Sequence, residues 1–363
     1  MRIAVFGIKR LPAFAGADRV VEQLLDHSSE EHEYTVYLLR DGQPTLSSSR
    51  NRRYIYVPSL RGKHLRPFSF FFLCCLHYLF KGRYDVAHVH NSDFGVFCPL
   101  LKLRRRVRVI GTFHGDPYKC GKWSILAKSF LRISEWFFTH SCDVLTSVSP
   151  LKKVRGRIVH YIPNGIDPWT TTEIENDFPY RELGLEEGRY ILFACGRVEQ
   201  IKGLHHLLRG YRDSPGTGKL LVVGDFSQDR DYSKMIREMA ADDPRVVLHD
   251  GLLERETLFD VVHRSSVFVF PSEVEAMAMM LLEVIACGKI VVCSDIPENV
   301  AVVGSDYPYL FRSKDSDSLG RVLLTALSSP DEAEVKSTYE RVMRAFRWDA
   351  IAADYERLYE VAS

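Results

Sequence analysis

Short, predominantly apolar runs recur along this chain, most of them separated from the next by enough residues for a helix. The first is Arg2-Ile-Ala-Val-Phe-Gly-Ile8. A turn region with Pro12 and Gly16 follows, then Arg19-Val-Val-Glu-Gln-Leu-Leu25, whose apolar residues fall at i, i+1, i+4 and i+5. A strand buried on both faces gives a continuous apolar run instead of alternation, and the order strand, glycine loop, helix opens a parallel α/β unit. Further strands are expected at Tyr34–Leu39, Tyr54–Val57, Val86–His90, Val107–Thr112, Val144–Ser147 and Ile158–Ile162. A second series is expected at Tyr190–Cys195, Lys219–Val223, Val246–Leu248, Val267–Phe270 and Ile290–Cys293.

Two such series in 363 residues predict two Rossmann-like halves with a boundary near residue 165. Thr170–Asp177 is polar and reads as a linker. Nothing in the net charge of +1 suggests a nucleic-acid protein, yet the total conceals an asymmetry. Residues 1–170 hold 26 Lys+Arg against 13 Asp+Glu, and the remainder holds 22 against 34. A basic half joined to an acidic half predicts different partners for the two, with an anionic membrane surface or nucleic acid as candidates for the basic half. Eight cysteines without a CxxC pair predict thiols in a reducing compartment rather than disulfides or zinc. Met1 leads directly into a strand, so no signal peptide is expected.

The second series opens with the motif Gly196-Arg197…Lys202-Gly203 at the end of an apolar strand. Gly196 would let the backbone turn at the carboxyl edge, where ligands bind in open parallel sheets. Arg197 and Lys202 bracket the loop, either as two phosphate-binding cations or as two solvated charges. The strand Val267–Phe270 leads into Pro-Ser-Glu-Val-Glu275-Ala-Met-Ala-Met-Met-Leu-Leu-Glu283. A helix is expected over Met279–Ala286 with Gly288 closing it, which puts Glu275 in the loop before the helix and Glu283 inside it. Carboxylates there suit sugar hydroxyls, and the helix N-terminus suits a phosphate. Glu283 sits among Leu281, Leu282, Val284 and Ile285, a setting that an idle surface carboxylate disfavours.

In the first half, Val109–Gly115 reads as a strand ending in His114-Gly115, which reads either as a ligand contact or as a satisfied loop histidine. His88 and His90 share one strand, and one of them is expected to face the covering helices. Asp229-Arg-Asp231 spells a metal-type DxD, but its polar surroundings predict a solvated loop. The run Phe68–Phe80 is 13 residues long, too short to span a bilayer, and is flanked by Arg61, Lys63, Arg66, Lys81 and Arg83. It reads as a helix packed on the sheet or as an interfacial membrane helix. Lys102–Arg108 adds five further charges, as a solvated loop or an anion-surface contact. No GxGxxG follows either first strand, which argues against nicotinamide chemistry.

Together these motifs resemble the retaining glycosyltransferases of family 4. The resemblance covers almost the whole chain. It is carried by the Gly16 loop, His114-Gly115, Pro163-Asn-Gly-Ile166, Gly196-Arg197…Lys202-Gly203 and the Glu275–Glu283 pair, and by Phe346-Arg-Trp348 ahead of Tyr355 and Tyr359. It implies an α/β GT-B fold, with two Rossmann-like domains facing each other across a cleft and a C-terminal helix crossing back to the first domain. The domains would be 1–165 plus 346–363 on the acceptor side and 166–345 for the nucleotide sugar. Arg197 and Lys202 would hold the donor diphosphate, and Glu283 the ribose hydroxyls. Glu275 would hold the transferred sugar beside the N–H groups of Met277, Ala278 and Met279. His114 would contact that sugar, and Gly16 would let the first loop approach the phosphates.

Two departures stand out. Ala276 and Ala278 occupy positions where the family usually has glycine, and a left-handed backbone there would cost about 1 kcal/mol or more per alanine. The first loop has one glycine where two are common. A finer similarity of Gly7–Ala13 and His114–Trp123 is to rhamnosyltransferase-like enzymes of bacterial surface polysaccharides.

The expected activity is retaining transfer of a sugar from a nucleotide-diphosphate donor to an acceptor hydroxyl, without metal or cofactor. The acceptor would be a glycan, lipid-linked at an anionic membrane surface, and the location cytoplasmic and peripheral. No nucleic-acid partner is expected. The competing readings are a sugar-nucleotide epimerase of the same fold and a non-catalytic binding module.

Overall fold

The computed structural model describes all residues except 14–15, 43–44, 63–64, 117–123, 169–175, 215 and 361–363. Most of the expected linker at Thr170–Asp177 therefore lies outside the described residues, as do Lys63, Cys120 and the 117–123 part of the segment after His114. The chain divides into two units, Met1–Gly165 with Trp348–Ser363, and Ile166–Arg347.

In the first unit the apolar runs form β1 (Arg2–Phe6), β2 (Glu33–Leu39), β3 (Arg52–Val57), β4 (Val86–His90), β5 (Arg108–Phe113), β6 (Val144–Ser147) and β7 (Val159–Tyr161). Its helices are α1 (Ala17–His27), α2 (Leu65–Lys81), the single turn α3 (Cys98–Leu101) and α4 (Ile125–Ser141). The sheet is parallel in the order β3-β2-β1-β4-β5-β6-β7. The order reverses between β1 and β4, which opens a crevice at their carboxyl ends. Gly7, just past β1, fills that approach: its φ is +87°, and a Cβ on it would lie 1.6 Å from the His90 carbonyl oxygen.

The second unit repeats the plan. Its strands are β8 (Tyr190–Ala194), β9 (Lys219–Gly224), β10 (Val246–Asp250), β11 (Val267–Phe270), β12 (Ile290–Ser294) and the two-residue β13 (Leu310–Phe311). Its helices are α5 (Leu204–Arg212), α6 (Arg230–Ala241), α7 (Arg255–Arg264), α8 (Met279–Ala286), α9 (Pro297–Val303), α10 (Ser316–Ser328) and α11 (Glu332–Ala345). The order β10-β9-β8-β11-β12-β13 places the reversal between β8 and β11. β13 is too short to register in a sequence pattern.

The last helix, α12 (Trp348–Glu360), joins the first unit and packs on α1. Tyr355 and Tyr359 are fully buried, and the Tyr359 hydroxyl lies 2.8 Å from His88 Nδ1. Trp348 explains the glycine of the Pro163-Asn-Gly motif, because a Cβ on Gly165 would lie 2.4 Å from the indole.

Two local expectations change, and a third is resolved. His88 and His90 are both fully buried, with ring centroids 4.0 Å apart, because positions two apart on a strand share a face. Asp229 caps α6 by accepting from the Tyr232 N–H, so the DxD motif is a helix start and not a solvated loop. The Phe68–Phe80 run lies within α2. Its Phe70, Phe71, Cys74, Cys75 and Tyr78 enter the core, while Phe68, Phe72 and Phe80 stay exposed. Among the described residues, no helix is long and apolar enough to cross a membrane. The seven described cysteines are free thiols.

Removal of the indole would leave a cavity beside Gly165. Trp348→Ala is expected to lower the stability of the first unit by about 3–5 kcal/mol in denaturant unfolding. A cost under about 1 kcal/mol would show that α12 is not anchored through this residue.

Candidate active site

Two loops leave the carboxyl edge of the second sheet at its reversal point. The loop after β8 runs through Cys195, Gly196 and Arg197 to a 3₁₀ turn at Gln200–Lys202. The loop after β11 runs from Pro271 to Ala278 and enters α8. The sheet topology therefore brings together Arg197, Lys202, Glu275 and the start of α8, the residues the sequence motifs single out.

Four contacts stitch these loops. The Glu273 N–H donates to the Ile201 carbonyl at 2.8 Å. Lys202 Nζ donates to Glu275 Oε1 at 2.5 Å. His206 Nε2 lies 3.1 Å from Glu273 Oε1. Finally, Gly203 sits directly on Pro271, where a Cβ would come within 1.9 Å of the proline carbonyl oxygen. Gly203 also has φ +68°, so both its backbone and its packing demand glycine. The left-handed glycine of the first loop is thus Gly203 and not Gly196, whose φ lies outside that region.

The charges are graded by exposure. Burial acts to lower the pKa of Lys202, but the charge and hydrogen bond of Glu275 outweigh it, and the pKa is raised. Lys202 therefore stays cationic. Arg197 is more than half exposed, with Nη1 3.7 Å from Glu199 Oε1, so an incoming anion can compete for its guanidinium. Burial pushes the Cys195 thiol up to about 12, which leaves it protonated and no nucleophile at neutral pH.

Glu283 lies in the second turn of α8 and is 2% exposed. No side chain caps α8, and Ala278 at its N-cap has φ −80°. The first-turn N–H groups of an α-helix lack intrahelical acceptors and carry the positive end of the helix dipole. Met277 is buried, and Met279 opens the helix. The positive-φ non-glycine residues among those described are Asn91 and Lys314. Ala276 and Ala278 are not among them, so the expected strain at these alanines is absent. The loop is built without left-handed backbone there.

His114 and Gly16 belong to the first unit. His114 follows β5, with Nε2 2.9 Å from His90 Nδ1. Burial lowers its pKa to about 3, so it is a neutral hydrogen-bonding ring and not a cation. Gly16 is the N-cap of α1 with φ +68°, and a Cβ there would meet nothing within 4 Å among the described residues. Its glycine requirement is therefore conformational. Asp18 braces the preceding loop by accepting from the N–H groups of Lys9 and Arg10 at 3.2 and 3.1 Å. The sequence motifs contain Gly7 and Gly203 but assign neither a role, since only the close approach of a distant strand or loop reveals why each is glycine.

Two family models match almost end to end: glycosyltransferase family 4 over residues 14–169 and glycosyl transferases group 1 over residues 177–343. The chain belongs to the family 4 glycosyltransferases. This glycosyltransferase is 24% identical over 304 residues to an uncharacterized glycosyltransferase of Methanocaldococcus jannaschii, covering 77% of this chain and 76% of the relative. Sucrose-phosphate synthase from Thermosynechococcus elongatus superposes with TM-score 0.81 at 20% identity, covering 99% and 98% of the two chains. The Anabaena protein HepE in complex with UDP-glucose gives 0.78 at 14%, covering 99% and 100%. These are two-domain proteins of GT-B type, with Rossmann-like parallel-sheet domains as here. The epimerase and binding-module readings are not favoured, and the absence of strain at Ala276 and Ala278 removes the main argument for the latter.

Two outcomes follow from this geometry. Gly203→Ala is expected to cost about 1–3 kcal/mol in thermal unfolding. Stability unchanged by Gly203→Ala would show that the two loops are not in contact. The second concerns acid. Burial lowers the pKa of His88 and of His114 to about 3, from the ordinary imidazole value of about 6.5, so the unfolded chain binds more protons below that ordinary value. Their contribution is complete above about pH 6.5 and is lost as the pH falls towards 3. Stability should drop between pH 7 and pH 5, where most carboxylates remain ionised, and His88→Asn should shallow the slope.

Proposed function

We propose that this glycosyltransferase moves a sugar from a nucleotide-diphosphate donor to an acceptor hydroxyl with retention of anomeric configuration. The observation that carries this reading is the convergence of Arg197, Lys202, the uncapped start of α8 and the carboxylates Glu275 and Glu283 at the β8/β11 reversal point. The diphosphate would lie against Arg197, Lys202 and the first-turn N–H groups of α8. Glu283, buried in an otherwise apolar turn, would accept from the ribose hydroxyls. Glu275, already fixed by Lys202, would accept from the transferred sugar. Gly196 would keep the strand end open to the ligand.

In the reaction the bond from the anomeric carbon to the phosphate oxygen breaks, while the acceptor oxygen bonds that carbon from the face the phosphate leaves. The acceptor proton passes to the departing phosphate. Negative charge grows on the diphosphate, where fixed cations and the helix start stabilise it without reorganisation. The protein's own cations take the part that a divalent ion plays elsewhere, so the transfer needs no Mg²⁺ or Mn²⁺.

The acceptor would be a glycan of bacterial surface-polysaccharide or glycolipid assembly, carried on a lipid at the cytoplasmic face of the membrane. Support comes from the basic first half and from α4, whose Ile125, Leu126, Phe130, Ile133 and Trp136 are all exposed.

Calorimetric titration with UDP-, GDP-, dTDP- and ADP-sugars should reveal one preferred nucleotide. Arg197→Ala should lower turnover by about 10²–10³-fold. Glu283→Ala should weaken nucleotide binding, and NMR of the product should show retention. Nucleotide binding indifferent to both substitutions, or inversion, would refute the assignment. Separately, anionic vesicles should sediment the protein in a salt-sensitive manner, and Trp136→Ala should weaken this. Equal behaviour with neutral vesicles would exclude the membrane role.

A further inference from the structure

Behind the loop that bears Glu275 lies a second cluster, which the proposed transfer does not use. His205 and His206 stand in the first turn of α5, immediately after Gly203, and both are 8% exposed. Their ring centroids are 3.9 Å apart. Glu273, two residues before Glu275, directs Oε1 at both rings, 3.6 Å from His205 Nε2 and 3.1 Å from His206 Nε2. The candidate ligand atoms of the three residues all lie within 4.8 Å of one another. We propose that His205, His206 and Glu273 bind one divalent transition-metal ion of the zinc class, joining the start of α5 to the loop after β11.

The donor set suits such an ion. Two imidazole nitrogens and one carboxylate oxygen are borderline ligands, and three protein ligands with one open position make a familiar zinc arrangement. Tetrahedral ligands held at about 2.0–2.1 Å from zinc stand about 3.3 Å from one another, close to both carboxylate–imidazole distances.

The surroundings also fit. His205 Nδ1 lies 2.9 Å from the Tyr232 hydroxyl, the outer contact that fixes a ligand ring and directs its Nε2 to the metal. The same hydroxyl accepts from the His205 backbone N–H at 3.2 Å, and Tyr232 is itself buried. His206 Nδ1 is buried without a hydrogen-bond partner among the described residues. A buried polar atom left unpaired costs free energy, and a ring kept at that cost serves through its other nitrogen, which faces Glu273. Lys314 Nζ approaches Glu273 Oε2 at 3.1 Å, leaving Oε1 to the ion, and its side chain is 63% exposed and can turn to solvent.

The proposal is independent of the sugar-nucleotide reading, and its test contains no sugar nucleotide. The full chain is freed of metal with a chelator, the chelator is removed, and Zn²⁺ alone is titrated calorimetrically. Co²⁺ is added in a parallel sample to read its ligand-field absorption. One Zn²⁺ per chain is expected, with affinity in the micromolar range or tighter. His206→Ala and Glu273→Gln should each weaken binding by about 10-fold or more and abolish the cobalt bands, and Tyr232→Phe should weaken it less. Zn²⁺ at a hundredfold excess over its dissociation constant should raise the wild-type unfolding temperature by about 5 °C or more, and should not do so in Glu273→Gln. Glu273→Gln preserves shape, and its metal-free unfolding temperature checks that it folds. Absence of saturable one-to-one binding overturns the proposal. So does Zn²⁺ affinity unchanged in both His206→Ala and Glu273→Gln, which would place the ion elsewhere.

Discussion

The second unit depends on the contact of Gly203 with the Pro271 carbonyl. Two loops that leave neighbouring strands at a reversal point normally diverge, because their helices cover opposite faces of the sheet. Here the backbones touch, since position 203 has no side chain and adopts φ +68°. That approach lets the Glu273 N–H reach the Ile201 carbonyl and brings Lys202 and Glu275 within hydrogen-bond distance. A partly buried lysine keeps its charge because the carboxylate is already beside it. The Lys202–Glu275 pair and the contact of the α5 histidines with Glu273 both need that close approach of the two loops.

The first unit meets the same topological problem in another way. Gly7 is pressed on His90, and Asn91, with φ 77°, donates through its side-chain amide to the Gly7 carbonyl. Buried polar groups then form a chain of contacts from Tyr359 through His88 and Thr112 to Thr146, with His90 and His114 paired beside it. Burial in this network keeps its histidines uncharged. A ligand reaching His114 therefore meets a neutral ring, whereas one reaching the β8 loop meets two cations. The difference in charge between the halves of the sequence is thus reversed at the level of these individual sites.

Much of the architecture is legible before folding. The uninterrupted apolar runs locate the strands, with only the two-residue β13 escaping notice, because burial on both faces leaves no room for polar alternation. Helix α8 is readable to the residue, since Gly288 with φ +66° stops it after Cys287. Less legible is the direction in which a side chain points. The Phe68–Phe80 run reads as a packed or an interfacial helix, and only its packing divides Phe70 and Phe71 from the exposed Phe72 and Phe80. Ala276 and Ala278 look like obstacles in the sequence and are harmless in the fold, because their backbone never enters the left-handed region.

By itself, the sequence determined what depends on neighbours along the chain: strand positions, helix ends and the duplicated α/β plan. Those properties follow from local hydrophobic period and backbone preference, which each segment carries wherever it is placed. The tertiary structure alone decided which glycine is indispensable, that Glu275 is held by Lys202, and that His205, His206 and Glu273 converge. These depend on distances between residues some seventy positions apart. Such distances are fixed only when strand order and close packing bring β8 beside β11.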